Sequence, residues 1–114
     1  MVRNEPLPID IIDNVDFYYV IMDIPGINPA DIEVKGGENY IVVKGKKLKE
    51  KFKNYILMER FSGKFLRKIN FPENINIEKA QAEYRNGVLY IKIPKLKNEI
   101  FIDTSVKINI IFRR

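Results

Sequence analysis

The sequence contains no cysteine, no histidine and no tryptophan. Without cysteine, the chain can form no disulfide, no thiolate metal site and no thiol nucleophile. Without histidine, it lacks the commonest metal ligand and the usual general base near neutral pH. No serine therefore has a histidine to activate it, and the acidic residues are scattered. We expect a protein that is not an enzyme and that needs no metal or other cofactor.

Long apolar runs and glycine-rich loops are also missing. The longest apolar or aromatic run is Phe17 to Met22, far shorter than the roughly 20 residues that span a membrane. The opening MVRNEPLPID has no apolar core of the kind a signal peptide needs. Gly36-Gly37 is too short to cradle a phosphate. A cytoplasmic protein with no small-molecule substrate is the simplest expectation.

What is present is the composition of one soluble domain: 114 residues, 46% of them hydrophobic, with a net charge of +5. A basic balance raises the question of nucleic acid or anionic membrane. Six lysines and one glutamate fall between Lys44 and Lys53, but Phe52 and Tyr55 are the only aromatic residues nearby. The pattern favours a solvated loop over a nucleic-acid-binding β module. We expect neither a nucleic-acid nor a membrane partner.

The clearest local signal is a β-hairpin between Ala82 and Lys95. Polar and apolar residues alternate on both sides of Asn86-Gly87, a pair that readily adopts the positive φ of a two-residue turn. Pro94 is expected to end the second strand because it has no N–H to donate.

Short β-prone segments with turn residues between them fill the rest of the chain, and no segment keeps a helical apolar period for three turns. This spacing predicts an all-β sandwich. The predicted strands are Ile9–Asp13, Asp16–Ile24, Ile32–Lys35, Tyr40–Gly45, Tyr55–Arg60, Phe65–Phe71, the two hairpin strands and a final extended segment from Val106.

Four motifs in order give the chain a resemblance to a known family. They are DIPGINPADIEV at Asp23–Val34, ERFSGKFLRKINFPENI at Glu59–Ile75, AEYRNGVLYIKIPK at Ala82–Lys95 and Ile-Asn-Ile at 108–110. Together they resemble the α-crystallin domain of small heat-shock proteins, although Phe71 stands where the family usually has leucine. The resemblance covers nearly the whole chain, from about Leu7 to Ile110.

The resemblance implies an immunoglobulin-like β-sandwich of seven to nine strands. Residues 1–8 would be a short N-terminal arm, residues 9–95 the sandwich and residues 96–114 a C-terminal extension. It also implies ATP-independent holding of unfolding client proteins, by a homodimer that assembles further into higher homo-oligomers. The alternative that we keep is a co-chaperone-type sandwich that binds a chaperone and does not oligomerise.

In the family, the terminal Ile-x-Ile docks in a groove on a neighbouring subunit. Ile108 and Ile110 are two residues apart, so both project from one face of an extended segment. Ile32 and Val34 would supply apolar walls for the groove, while small Ala80 and Ala82 would leave room. The alternatives are an ordinary sandwich strand for the tail and closed core positions for the groove.

The family also implies a strand exchanged between the two subunits of a dimer. Here it would comprise Tyr55, Ile56, Leu57, Met58, Glu59 and Arg60, added to the partner's sheet edge through backbone hydrogen bonds. A loop folded on its own domain is the alternative. Arg85 is a candidate for an ion pair across the dimer, or else a solvated strand residue.

Overall fold

The computed structural model describes residues 7–47, 63–96 and 106–113, and these residues form nine strands and two short 3₁₀ turns. The turns are Pro29–Asp31 and Ile77–Lys79. The strands are β1 (Ile9–Asp13), β2 (Phe17–Asp23), β3 (Ile32–Gly36), β4 (Tyr40–Lys47), β5 (Gly63–Asn70), β6 (Gln81–Arg85), β7 (Val88–Pro94), β8 (Val106–Ile108) and β9 (Ile110–Arg113).

The strands form two sheets that pack face to face. One sheet has five strands in the order β1-β2-β7-β6-β9, and the other has four in the order β5-β4-β3-β8. All neighbours are antiparallel except β6 and β9, which run parallel. The predicted all-β sandwich is therefore confirmed. No helix in the described ranges is long and apolar enough to cross a membrane.

The core lies between the sheets and follows from the two-residue period of β-strands. Alternate side chains of β2 and β7 point inward, and so do those of β3, β4 and β5. Aliphatic and aromatic residues fill these inward positions, and no polar or charged residue in the described part of the chain is fully buried. The fully buried residues from both sheets include Val20, Met22, Val34, Ile41, Val43, Leu89, Ile91 and Ile93.

The hairpin that the sequence predicts is present. Asn86 and Gly87 have φ angles of 53° and 79°, as a type I′ turn requires, and they join Arg85 to its cross-strand partner Val88. β7 ends at Pro94 as expected. Gly26 has a φ of 73°, as a type II turn with Pro25 and Gly26 at its central positions requires.

Lys95 closes one end of the sandwich, a role that the sequence did not suggest. Its side chain is only 6% exposed, and its Nζ lies 2.6 Å from Asp13 Oδ1 and 3.4 Å from Glu73 Oε2. The ammonium also lies 4.7 Å from the centroid of the Tyr18 ring. The hydrogen bond to Asp13 raises the pKa of Lys95, and Glu73 adds to the effect. The side chain thus joins the ends of β1 and β7 to the loop after β5.

The end of the chain differs from the predicted single extended segment. The stretch divides at Asn109, so that β8 joins the four-stranded sheet while β9 joins the five-stranded sheet. Because the segment breaks at Asn109, it can pair with an edge strand of each sheet, which a continuous strand could not do. The strand predicted at Tyr55–Arg60 lies outside the described residues.

Candidate functional site

An apolar groove runs between one edge of each sheet, and the end of the chain lies in it. β3 would be an edge of the four-stranded sheet and β6 an edge of the five-stranded sheet if β8 and β9 were removed. β8 pairs with β3 and places Ile108 opposite Val34. β9 pairs with β6 and places Ile110 opposite Ala82. We call residues 106–113 the tail and the space between β3 and β6 the edge groove.

Ile108 is the more deeply buried of the two tail isoleucines. It is 6% exposed and belongs to the same core cluster as Val34, whereas Lys107 and Asn109 on either side of it are exposed. Burial of an isoleucine side chain stabilises a structure by about 1.5–3 kcal/mol. Ile108 is therefore the principal apolar anchor of the tail.

Ile110 fits against a position where the groove wall is small. Its cross-strand partner Ala82 is 2% exposed, and Ile110 itself is half-buried and packs against the core. Ala80 is half-buried just before β6. Ile32 is buried in β3 opposite Gly45, and it has no partner in β8. Val34 and Ala82 are thus the two predicted groove residues that face tail isoleucines in register.

Phe112 is a third contact of the tail that the sequence analysis missed. Its ring stacks on Tyr84 with centroids 6.2 Å apart and an interplanar angle of 24°. Tyr84 is held by its hydroxyl, which donates to the backbone oxygen of Ile24 at 2.7 Å, and burial raises the pKa of that hydroxyl. Phe112 is the next alternate position after Ile108 and Ile110, so the same two-residue period could have revealed it.

A second sheet edge lies at β1, the outermost described strand of its sheet on that side. Ile11 and Ile12 on β1 are 47% and 41% exposed. An edge strand presents backbone N–H and C=O groups that can pair with another extended chain. The segment predicted to make such a pairing, Tyr55–Arg60, lies outside the described residues.

Arg85, the candidate for an ion pair across the dimer, has partners within its own chain. Its Nη1 lies 3.2 Å from Glu83 Oε1, and its guanidinium lies 4.7 Å from the centroid of the Tyr90 ring. The hydrogen bond with Tyr90 and the charge of Glu83 raise the pKa of Arg85. Its role between subunits stays a prediction.

The site is built for binding an extended chain. Its contacts are backbone ladders and apolar side chains, the combination used when a peptide strand adds to a sheet edge. No group of three or more acidic side chains within the described residues is arranged to hold a metal ion. The fold and the groove define a β-sandwich in which an edge of each sheet pairs with an extended segment of the same chain.

Comparison with known proteins identifies the family of this sandwich. Residues 10–110 match the model of the Hsp20/alpha crystallin family, and the chain belongs to that family. It is 40% identical over 94 residues to the 17.7 kDa class II heat shock protein of Arabidopsis thaliana, covering 78% of this chain and 60% of that protein. It is 39% identical over 89 residues to small heat shock protein C2 of Rickettsia felis, covering 75% and 58%. The chain thus spans about three fifths of the length of these relatives.

Solved structures agree with this assignment. A small heat-shock protein from Xylella fastidiosa superimposes with a TM-score of 0.72 at 28% identity, covering 90% of this chain and all of that one. HspA from Xanthomonas axonopodis gives a TM-score of 0.70 at 31% identity, covering 83% of this chain and 94% of that one. The predicted resemblance to small heat-shock proteins is confirmed.

Proposed function

We propose that this chain acts as an ATP-independent holdase: it binds partly unfolded proteins along its sheet edges and prevents their aggregation. Membership of the small heat-shock family supports a chaperone role that involves no bond-making or bond-breaking step. The observation that carries the proposal is the edge groove, where backbone pairing and three apolar side chains hold an extended segment. An unfolding client presents segments of the same kind.

The tail regulates access to that groove. Burial of Ile108 and partial burial of Ile110 contribute at most about 3–6 kcal/mol before the cost of ordering the segment is subtracted. The backbone entropy lost when the segment is ordered offsets much of this gain, so tail binding is reversible. Heat would release the tail and expose the groove and the edges of β3 and β6.

The same groove serves assembly when a neighbouring chain supplies the tail. In the single chain the tail occupies its own groove, and exchange of identical segments between chains is a low-cost route to oligomers. The exposed isoleucines of β1 support a second contact, in which the partner's Tyr55–Arg60 strand extends the five-stranded sheet into a dimer. The Xylella fastidiosa relative is described as having a distinct high order structure.

We also propose that the protein acts in the cytoplasm.

A client-aggregation assay tests the holdase proposal. A heat-labile client is warmed with and without the protein in the absence of nucleotide, and light scattering is followed. We expect suppression at a several-fold excess of the protein, and stronger suppression by a variant lacking both tail isoleucines. Client aggregation that is unchanged by either protein would refute the holdase role and favour the co-chaperone alternative.

A further inference from the structure

The outer face of the four-stranded sheet carries a concentration of lysines. Because Val34, Val43 and Phe65 point into the core, the alternate positions of β3, β4, β5 and β8 point outward. The charged outward side chains are six lysines and one glutamate: Lys35, Lys44, Lys46, Lys64, Lys68, Lys107 and Glu33. We call these six lysines the lysine face.

The lysine face includes pairs of like charges that weaken the fold. Lys46 lies directly opposite Lys64, and Lys35 lies directly opposite Lys107. Like charges at directly opposite positions destabilise a sheet. Glu33 relieves part of the repulsion, since it lies 3.4 Å from the Nζ of Lys35 and 3.6 Å from that of Lys44. The face keeps an excess of positive charge, and this excess does not stabilise the fold.

The carboxylate of Glu33 is already paired with two lysines of its own sheet, Lys35 and Lys44. Partial burial acts to raise its pKa, but the hydrogen bond from Lys35 and the charges of Lys35, Lys44 and Lys107 hold that pKa below its usual value. Lys46 and Lys64 are exposed. They border a recess of about 370 Å³ that Lys44 and the two acidic residues Asp31 and Glu33 also line. Lys46 and Lys64 lie directly opposite each other and are exposed, so both ammonium groups can meet an external anion.

An exposed leucine lies among these lysines. Leu66 is 56% exposed, has Lys64 and Lys68 two residues away on the same side of β5, and lies opposite Lys44. Val42 and Tyr40 share the outer side of the sheet. Three lysines next to an exposed apolar side chain match a bilayer surface, where anionic headgroups cover an apolar layer.

We propose that the lysine face docks on an anionic lipid membrane surface, with the lysines on the headgroup phosphates and Leu66 entering the interface. Nucleic acid fits less well. No arginine among the described residues points outward here, because Arg67 faces inward and donates to Leu7 O at 3.4 Å. Tyr40 is the one described aromatic residue on this face, and Lys68 Nζ covers its ring at 4.9 Å. A base therefore has no free ring on which to stack.

This inference departs from the expectation that the protein has no membrane partner. The sequence shows the lysines in separate segments, and only the pairing of β3, β4, β5 and β8 brings them to one face. Lys107 belongs to the tail, but the other five lysines lie on β3, β4 and β5, on the side of the sheet opposite the core and the edge groove. Membrane docking and client holding can therefore fail independently.

Vesicle flotation with the full chain tests the proposal. We expect binding to phosphatidylcholine vesicles that contain phosphatidylglycerol, no binding to phosphatidylcholine alone, and a steep loss of binding as salt is raised. Lys46→Gln/Lys64→Gln should weaken binding on the order of 30-fold, since each lysine near an anionic surface contributes about 1 kcal/mol to the binding free energy. Leu66→Ser should weaken it by roughly tenfold without changing the salt dependence.

The matched control is Lys79→Gln/Lys92→Gln, which removes the same charge from exposed lysines outside the face. It should bind vesicles within about twofold of the wild type, and circular dichroism should show that all variants fold. An equal loss in the control, or equal binding to phosphatidylcholine alone, would overturn the proposal. So would tighter binding to labelled single-stranded or duplex nucleic acid than to anionic vesicles at the same salt.

Discussion

Ile110 lies directly opposite Ala82 in a parallel strand pair, where the last strand of the chain covers the edge of the five-stranded sheet. One residue earlier, at Asn109, the chain leaves the four-stranded sheet, in which Ile108 faces Val34. The tail therefore joins the edges of both sheets with two alternate side chains. The proposed function depends on how readily that junction opens and on which chain supplies the tail.

Removal of the two tail isoleucines should reduce assembly. Ile108→Ala/Ile110→Ala takes most of the apolar contact from the tail, where each buried isoleucine contributes about 1.5–3 kcal/mol. We expect a smaller mass than the wild type by multi-angle light scattering. Ile111→Ala is the matched control, because Ile111 is 52% exposed and its side chain alternates with that of half-buried Ile110. A double variant with the mass of the wild type would disprove tail docking as the basis of assembly.

Loss of the Phe112 ring should loosen the tail without removing it. A stacked aromatic pair adds about 0.5–1.5 kcal/mol beyond its buried area, so Phe112→Ala should lower amide hydrogen-exchange protection in β9 by roughly two- to tenfold. Protection in β2 should stay the same. Equal protection of β9 in wild type and variant would show that the stack on Tyr84 does not hold the tail.

The hairpin turn should tolerate change at one position and not at the next. Gly87 has a φ of 79°, and a Cβ there would lie 3.3 Å from Pro25 Cα. Gly87→Ala should lower the free energy of unfolding in urea by about 1–2 kcal/mol, because a side chain disfavours the left-handed region. Asn86→Gly is the control, since glycine adopts the φ of 53° without strain. A larger loss for Asn86→Gly than for Gly87→Ala would contradict the turn assignment.

The Lys95 ion pair should make stability depend on alkaline pH. The pKa of Lys95 is higher in the folded protein than its ordinary value because Asp13 and Glu73 favour the charged form. Its contribution is therefore complete below the unfolded-state value of about 10.4 and is lost as pH rises through the folded-state pKa. We expect Lys95→Gln to lower Tm at pH 7 to 9, and we expect this difference from the wild type to shrink as pH rises through the folded-state pKa. A difference in Tm that stays the same from pH 9 to above pH 11 would contradict this account.

The two-residue alternation of the strands and the turn at Asn86-Gly87 were sufficient to predict the sandwich and its central hairpin. The positions of Ile108 and Ile110 also indicated which face of the tail is apolar. The change of sheets at Asn109 could not be predicted, because it depends on the distance between β3 and β6 in the folded core. The same limit applies to Lys95, whose partners Asp13 and Glu73 are far away in sequence, and to the lysine face.

The four residues predicted to line the groove show what a sequence pattern leaves undetermined. Ile32, Val34, Ala80 and Ala82 are apolar at alternate positions of two segments, and the sequence could not distinguish groove from core among them. In the structure, Val34 and Ala82 are in register with the tail, whereas Ile32 faces Gly45. Strand register decides this, and register depends on long-range pairing.

Disulfide trapping between β6 and β9 tests most directly whether the edge groove accepts a tail from another chain. The chain has no cysteine, and paired strands are about 4.8 Å apart, within the Cα range of a disulfide. Chains carrying only Ala82→Cys are mixed with chains carrying only Ile110→Cys under mild oxidation, and products are separated on a non-reducing gel. The account predicts a linked dimer in which mass spectrometry finds residue 82 joined to residue 110. If the mixture gives no such dimer while the chain with both cysteines closes on itself, exchange of the tail between chains is contradicted.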